Sequence, residues 1–324
     1  MLNFLAKPLE LNEMPELLSI VLPVLNEESI IQDAYERLKK VVTELGWSYE
    51  FIFVDDGSTD NSLSILEGLA RKDAQVKCIS FSRNFGHQIA ITAGCDHCSG
   101  KYAVIMDSDL QDPPELIPAL IAKAEEGFDV VYAVRRKRHA ETWFKKTTAS
   151  LFYRTFALFT NIQMPLDTGD FRLINRKVLL TLRSLKEKNR FMRGLVSWVG
   201  FKQTGVLYDR ESRKAGRTKY HFLKMMNFSV DGLVSFSTVP LKLASFFGLI
   251  ISVLSFFLAL YCIGLKLFTN QLVQGWLSLL VSVLFIGGVQ LIFLGIIGEY
   301  LGRIYDEVKQ RPLYVVNKKA NIDA

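Results

Sequence analysis

Two stretches of this chain, Leu243 to Leu265 and Trp276 to Ile297, contain no charged residue, and no other feature limits its fold as strongly. Each exceeds the roughly 20 residues needed to cross about 30 Å of hydrocarbon. Uncharged lengths of that size read as membrane spans, not as buried helices of a soluble protein. The link between them is short and carries one lysine, Lys266, whereas Lys242, Arg303, Lys309 and Arg311 flank the pair. The positive-inside rule therefore expects both termini in the cytoplasm and the hairpin loop outside. Gly288, Gly295, Gly298 and Gly302 fall near one helical face, which permits close packing within the hairpin or between copies of the chain. A homo-oligomer is expected on that ground.

The part before the hairpin has a different rhythm. Leu18 to Val24, Tyr49 to Val54, Val76 to Phe81, Tyr102 to Met106 and Val130 to Val134 are short apolar runs of strand length. Between them lie helical periodicities, one through Ile30, Ala34, Leu38, Val41 and Val42 stopped by Gly46, others over Leu63 to Ala70, up to Ala93, and over Leu116 to Glu126. Ser58 or Asp60 is the expected cap of the second helix. Strands alternating with helices make an α/β domain with a mostly parallel, doubly wound sheet.

In such a sheet the residues after successive strands share one edge, where ligands bind. Here those residues are Asn26 and Glu27, Asp55 and Asp56, Arg83 and Asn84, then Asp107 and Asp109. Four polar strand ends on one edge point to a nucleotide site. No Gly-x-Gly-x-x-Gly follows the first strand, which disfavours a dinucleotide. Asp107 and Asp109 fall on one side of an extended chain, and Pro113-Pro114 then turns it away. A carboxylate pair of this kind suits Mg²⁺ or Mn²⁺ shared with substrate phosphates.

Hydrophobic residues make up 49% of the chain, but the excess is concentrated after Leu241. The net charge is +6, and the basic residues cluster at 135–146, 210–219 and 303–319. Beside apolar spans, such clusters point to an anionic membrane face or phosphorylated substrates. No zinc-finger or RNA-binding signature accompanies them, so a nucleic-acid partner is not expected. The four cysteines make no disulfide framework, and Cys95-Asp96-His97-Cys98 lacks the second pair of a zinc site. The amino terminus lacks a charged leader followed by an apolar core. A cytoplasmic, reducing environment is expected for the bulk of the chain.

The order of motifs carries a resemblance. Ile20-Val21-Leu22-Pro23-Val24-Leu25-Asn26-Glu27-Glu28, Val54-Asp55-Asp56-Gly57-Ser58 and Asp107-Ser108-Asp109-Leu110-Gln111 resemble the family 2 glycosyltransferases of GT-A fold. Ser82 to Gly86, Gly169-Asp170-Phe171-Arg172, Arg213 to Tyr220 and Gly298 to Tyr305 narrow it. With the two spans, the chain looks like the polyisoprenyl-phosphate glycosyltransferases, which include the bactoprenol glucosyltransferases and the dolichol-phosphate mannose synthases. The resemblance runs from about Leu18 to Val316.

That resemblance implies a UDP-sugar donor, glucose by overall similarity with mannose or aminoarabinose as alternatives, and a polyisoprenyl phosphate acceptor. It implies that Pro23, Leu25, Glu27 and Asp55 surround the nucleotide, joined by Asp56, Asn84 and Asp107 in holding the nucleotide sugar. Position 25 is commonly tyrosine in that family. Asp107, Asp109 and Gln111 would form the metal environment, and Asp170 would be the catalytic carboxylate, with Asp109 beside it. Arg135, Arg172, Arg213 and Lys219 would receive phosphates of donor or acceptor. The processive synthases of the same fold carry a Gln-x-x-Arg-Trp motif and more spans, and neither is present here. The expected organisation is an extension over 1–17, a GT-A domain over 18–221, an amphipathic segment over 222–240, two membrane helices within 241–300, and a cytoplasmic tail over 301–324. The whole is expected in the cytoplasmic membrane.

Overall fold

The computed structural model describes residues 16–136, 168–209, 238–269 and 275–322. They divide into two units, one running to residue 225 and resuming at Pro312, the other spanning 226–311.

The first unit is built on β1 (Leu17–Val24), β2 (Ser48–Asp55), β3 (Val76–Phe81), β4 (Tyr102–Ile105), β5 (Val130–Arg135), β6 (Thr168–Asn175), β7 (Gln203–Tyr208) and β8 (Val316–Ala320). They form one sheet in the order β7-β5-β6-β4-β1-β2-β3-β8. β1 runs parallel to β2 and β4, β2 to β3, and β5 to β7. β6 is antiparallel to both β4 and β5, and β8 is antiparallel to β3. The helices are α1 (Ile31–Leu45), α2 (Ser62–Lys72), α3 (His87–His97), α4 (Ile117–Glu125), α5 (Arg176–Ser184) and α6 (Met192–Trp198).

The apolar runs are strands because both faces of the sheet are covered. Leu18, Ile20, Leu22, Phe51, Phe53, Val104, Phe171 and Leu173 belong to one core with Ile31, Tyr35 and Leu38 of α1 and Leu120 and Ile121 of α4. Burial on both sides explains runs that are continuously apolar. α1 ends before Gly46, as its periodicity predicts. The N-cap of α2 is Asn61, not Ser58 or Asp60, and it makes no side-chain capping bond; Asp60, one residue earlier, still accepts the Ser62 N–H through Oδ1 at 2.9 Å.

Two further findings differ from the sequence expectation. Thr168 to Asn175 is a central antiparallel strand carrying buried Asp170 and Arg172, charges that hide its strand character. The segment expected as a tail belongs to the catalytic unit, because Val316 to Ala320 closes the sheet edge as β8. Its Asn321 side chain donates to the carbonyls of Ala70 and Val76 at 2.6 and 2.9 Å. Val-Asn-Lys-Lys-Ala is too short and polar to signal a strand, and lysines are typical of protected edges.

The second unit contains α7 (Val239–Thr269) and α8 (Trp276–Lys309). Both are long and apolar enough to cross a membrane, with 18-residue stretches of mean hydropathy 2.1 (Leu241–Leu258) and 2.3 (within Val281–Lys309). α8 continues about three turns past the expected end of its span. Among the described residues, a Cβ at Gly288, Gly295, Gly298 or Gly302 would meet no atom within 4 Å. The basic cluster at 210–219, most of that at 135–146 and residues 222–237 of the expected amphipathic segment lie outside the described residues.

Candidate active site

Strand direction gathers the site. Val24 pairs with Asp55, Val21 with Ile105, and Arg135 with Tyr208, all in parallel register, so their carboxyl ends share an edge. Because β6 is antiparallel, with Arg172 opposite Ile105 and Thr168 opposite Val134, it delivers its amino end there. Continuing that register past Ile105 sets Asp107 across from Asp170.

Hydrogen bonds then knit the edge. Ser108 Oγ donates to the Pro23 carbonyl at 3.1 Å, tying the end of β4 to β1. The Asn26 N–H donates to Ser58 at 3.0 Å, and the Glu27 N–H to Ser62 at 2.9 Å, locking the first loop on the second. Asp55 Oδ1 accepts from the Ser58 N–H at 3.1 Å, and its Oδ2 from Ser80 at 2.9 Å. Asp56 is committed to the frame: its carboxylate accepts the N–H groups of Phe85 and Gly86 at 2.7 and 3.0 Å. Burial raises its pKa despite those bonds. Gly57, at φ +71°, is required here, since a Cβ would stand 2.6 Å from the Arg83 carbonyl carbon. Pro23 is buried, Leu25 and Glu27 are half-buried, and Asn84 is exposed on the loop that Asp56 holds.

Asp170 is 6% exposed and gripped from several sides. Arg193 of α6 reaches both its oxygens, Nε to Oδ1 at 2.8 Å and Nη2 to Oδ2 at 3.1 Å. His87 Nε2 stands 3.3 Å from Oδ2, and 3.4 Å from Asp107 Oδ1. Burial alone would raise the Asp170 pKa, but the Arg193 charge and the hydrogen bonds from His87 and Arg193 hold it well below the usual carboxylate range. For His87, burial opposes the charge, yet its bond to Asp170 and the charges of Asp107 and Asp170 hold it up at about 9.

Sequence reasoning missed His87 and Arg193. His87 stood beside the Arg83–Gly86 motif, whereas Arg193 follows a featureless Phe191-Met192 and only tertiary structure assigns it. Arg172 is not placed to take a phosphate: it is buried, donating to the backbone carbonyls of Asp170 and Gly169 at 3.3 and 2.9 Å. Burial lowers its pKa to about 10.

Arg135 sits at the same edge, its Nε donating to Tyr208 at 3.2 Å and its Nη2 3.9 Å from Asp112. The Tyr208 hydroxyl donates to Asp112. A Cβ on Gly169 would stand 2.9 Å from Arg135 Nη2, so glycine leaves room for the guanidinium. Arg213 and Lys219 lie outside the described residues.

The divalent cation implied for Asp107, Asp109 and Gln111 can be tested against these atoms. Among the described residues no three His, Cys, Asp or Glu groups make a metal cage. The donors present nevertheless fit a hard cation that takes its remaining ligands from diphosphate and water. Asp107 Oδ1 is buried without a hydrogen-bond partner. Burial pushes the Asp107 carboxyl up to about 6; His87 opposes this, and the charges of Asp170, Asp109 and Asp112 add to it. A carboxylate so crowded is one that added positive charge would stabilise. Asp109 is half-buried, with its Oδ1 accepting the Gln111 N–H at 3.1 Å, and Gln111 is buried beside it.

The family model described as glycosyl transferase family 2 matches residues 19–183, the segment that carries β1 to β6 and the carboxylates above. The chain belongs to that family. An uncharacterized glycosyltransferase, YkcC, of Bacillus subtilis (strain 168) is 55% identical over 94% of this chain and 94% of its own length. A prophage-derived bactoprenol glucosyl transferase of Shigella flexneri is 42% identical over 93% of this chain and 97% of its own. Among solved structures, a glucosyl-3-phosphoglycerate synthase of Mycobacterium tuberculosis with Mn²⁺, UDP and phosphoglyceric acid matches with a TM-score of 0.47 and 18% identity, over 69% of this chain and 77% of that one. This family 2 enzyme thus keeps its acidic edge inside the matched segment, and its similarity to the relatives extends through both apolar helices.

Proposed function

We propose that this glycosyltransferase moves a sugar, glucose from UDP-glucose, onto a polyisoprenyl phosphate such as undecaprenyl phosphate at the cytoplasmic face of the membrane. The observation that carries the reading is the continuous similarity to a bactoprenol glucosyl transferase across both the acidic edge and the two apolar helices.

In this reading Pro23, Leu25, Glu27 and Asp55 form the nucleotide end of the cleft. Asp55 is oriented by Ser58 and Ser80, and a carboxylate oxygen keeps a second lone pair for a ligand. Asp56 keeps the Asn84 loop in place. Asp107 and Asp109, with Gln111, would hold Mg²⁺ or Mn²⁺, which supplies charge stabilisation for the departing nucleoside diphosphate. Arg135 offers a fork for phosphate oxygens, with Arg213 and Lys219 proposed as its companions.

The acceptor is a phosphomonoester whose second pKa near 6 leaves it largely dianionic at neutral pH, so it needs no base to become a nucleophile. Asp170, held ionised by Arg193 and His87, suits orientation of the donor sugar or acceptor better than proton removal. One in-line displacement would invert the anomeric carbon and give a β-linked lipid phosphate from an α-linked donor. The acceptor cannot leave the bilayer at low cost, since each buried CH₂ contributes about 0.8 kcal/mol, which accounts for an enzyme carrying a hairpin of its own. The open glycine face of α8 would suit a second copy of the chain, a homo-oligomer.

The test is transfer from a panel of labelled UDP- and GDP-sugars to undecaprenyl phosphate, with Mg²⁺ or Mn²⁺, by wild type and Asp109→Ala. One donor giving β-linked lipid product, lost in the variant, is expected. An α-linked product, or equal transfer by Asp109→Ala, would contradict the mechanism.

A further inference from the structure

The chain that follows α8 does more than close the sheet. Just before β8, the Tyr314 ring stacks on Phe81 at the end of β3, with centroids 5.1 Å apart and planes at 24°. Its hydroxyl donates to Asp96 Oδ2 in the last turn of α3 at 3.0 Å. The neighbouring Val315 carbonyl accepts the Ser82 N–H at 3.0 Å. Phe81 in turn meets Phe85 edge-on at 5.6 Å. Phe85 and Gly86 are the residues whose N–H groups Asp56 holds, and the next residue is His87.

These contacts converge on one side chain. α3 is a rigid rod with His87 at its first position and Asp96 near its last. Tyr314 grips the far end of that rod through Asp96 and the strand feeding its near end through Phe81. Such aromatic pairs contribute beyond their buried area, and their geometry is directional.

We propose that Tyr314 is a positioning residue of the site: acting through Phe81, Phe85 and α3, it fixes where His87 stands between Asp107 and Asp170. The segment leaving the last apolar helix is thereby a working part of the catalytic unit. Nothing in the proposal depends on which sugar or lipid the enzyme uses.

The test can be read without substrate. The chain has four histidines, so histidine-selective isotope labelling of the full-length protein in detergent gives a simple spectrum, in which His87→Gln identifies the His87 signal. Tyr314→Leu removes ring and hydroxyl; Tyr314→Phe keeps the stack and loses the bond to Asp96. Lys318→Ala is the control, because it breaks a β8 contact to Glu67 of α2 (2.9 Å) that does not reach the loop.

Tyr314→Leu is expected to shift the His87 signal and lower the transfer rate about tenfold or more, since displaced catalytic groups lose rate steeply. Tyr314→Phe should shift the signal the same way by less, and Lys318→Ala should leave it in place. A Tyr314→Leu protein with reduced melting temperature but an unmoved His87 signal would overturn the proposal. So would an equal shift in Lys318→Ala. If Tyr314→Leu fails to fold, an unmoved signal in Tyr314→Phe decides against it.

Discussion

Asp170 shows how a carboxylate can be recognised in sequence while its chemistry is set elsewhere. Its place beside Gly169 was legible, but the partners that fix its charge, Arg193 and His87, arrive from α6 and α3. Arg193→Met would leave a buried carboxylate short of its bidentate partner. Breaking such a pair costs about 3–5 kcal/mol when both charges are buried, and Arg193 is a third exposed, so roughly half that is expected. Denaturant unfolding of the catalytic unit measures it, and transfer should fall even in the folded fraction. An Arg193→Met enzyme with wild-type turnover would show that the clamp is structural only. The sign of the Asp170 shift also constrains pH dependence: the group is ionised throughout the neutral range, so Asp170 itself should contribute no activity limb between about pH 5 and 8.

At the scale of elements, the sequence announced what is apolar and repetitive. β1 to β5 and α1 to α4 follow from continuous apolar runs and 3.6-residue periodicity, and their carboxyl ends lie on one edge as the parallel pairing requires. β6 and β8 were not legible, because one hides its strand under buried charge and the other is a short lysine-bearing edge. β6 is the element that completes the acidic edge, since its antiparallel course brings Gly169 and Asp170 to Arg135 and Asp107; in the proposed reading this is where transfer takes place. Gly169→Ala tests that placement. The intruding Cβ crowds the guanidinium end of the flexible Arg135 side chain and otherwise comes into ordinary contact with Asp112 Oδ2 at 3.8 Å, so stability should change by no more than about 1 kcal/mol. Displacing the guanidinium should raise the KM for the phosphate acceptor; an unchanged KM would remove Arg135 from acceptor binding.

The opposite edge of the sheet gives a separate stability prediction. Glu50 is buried, accepting from Ser19, from Lys77 at 2.6 Å and from the Ser99 N–H at 2.6 Å. Burial would raise its pKa, but those bonds bring it below the ordinary 4.5. A depressed carboxylate contributes stability that is complete above the unfolded pKa and lost as pH falls through the folded one. The acid limb of melting temperature below about pH 4.5 should therefore be shallower in Glu50→Gln than in wild type. Identical acid limbs would show that Glu50 does not contribute to it.

At the scale of the whole molecule, the chain joins an acidic edge to two helices long enough to span a bilayer. The helices were the plainest feature of the sequence, since uncharged length needs no tertiary context. The return of the chain into the catalytic unit as β8 was not, since nothing local in Pro312 to Ala320 specifies its partner strand. Catalytic unit and hairpin make sense together if the acceptor is a lipid whose phosphate is the nucleophile. The most direct measurement is the partition of label from radiolabelled UDP-glucose when the purified full-length protein is incubated with and without undecaprenyl phosphate. The account predicts label in the organic phase only when the lipid phosphate is present. Label that stays in water with the lipid present, while the same preparation hydrolyses the donor or glycosylates a soluble acceptor, would contradict it.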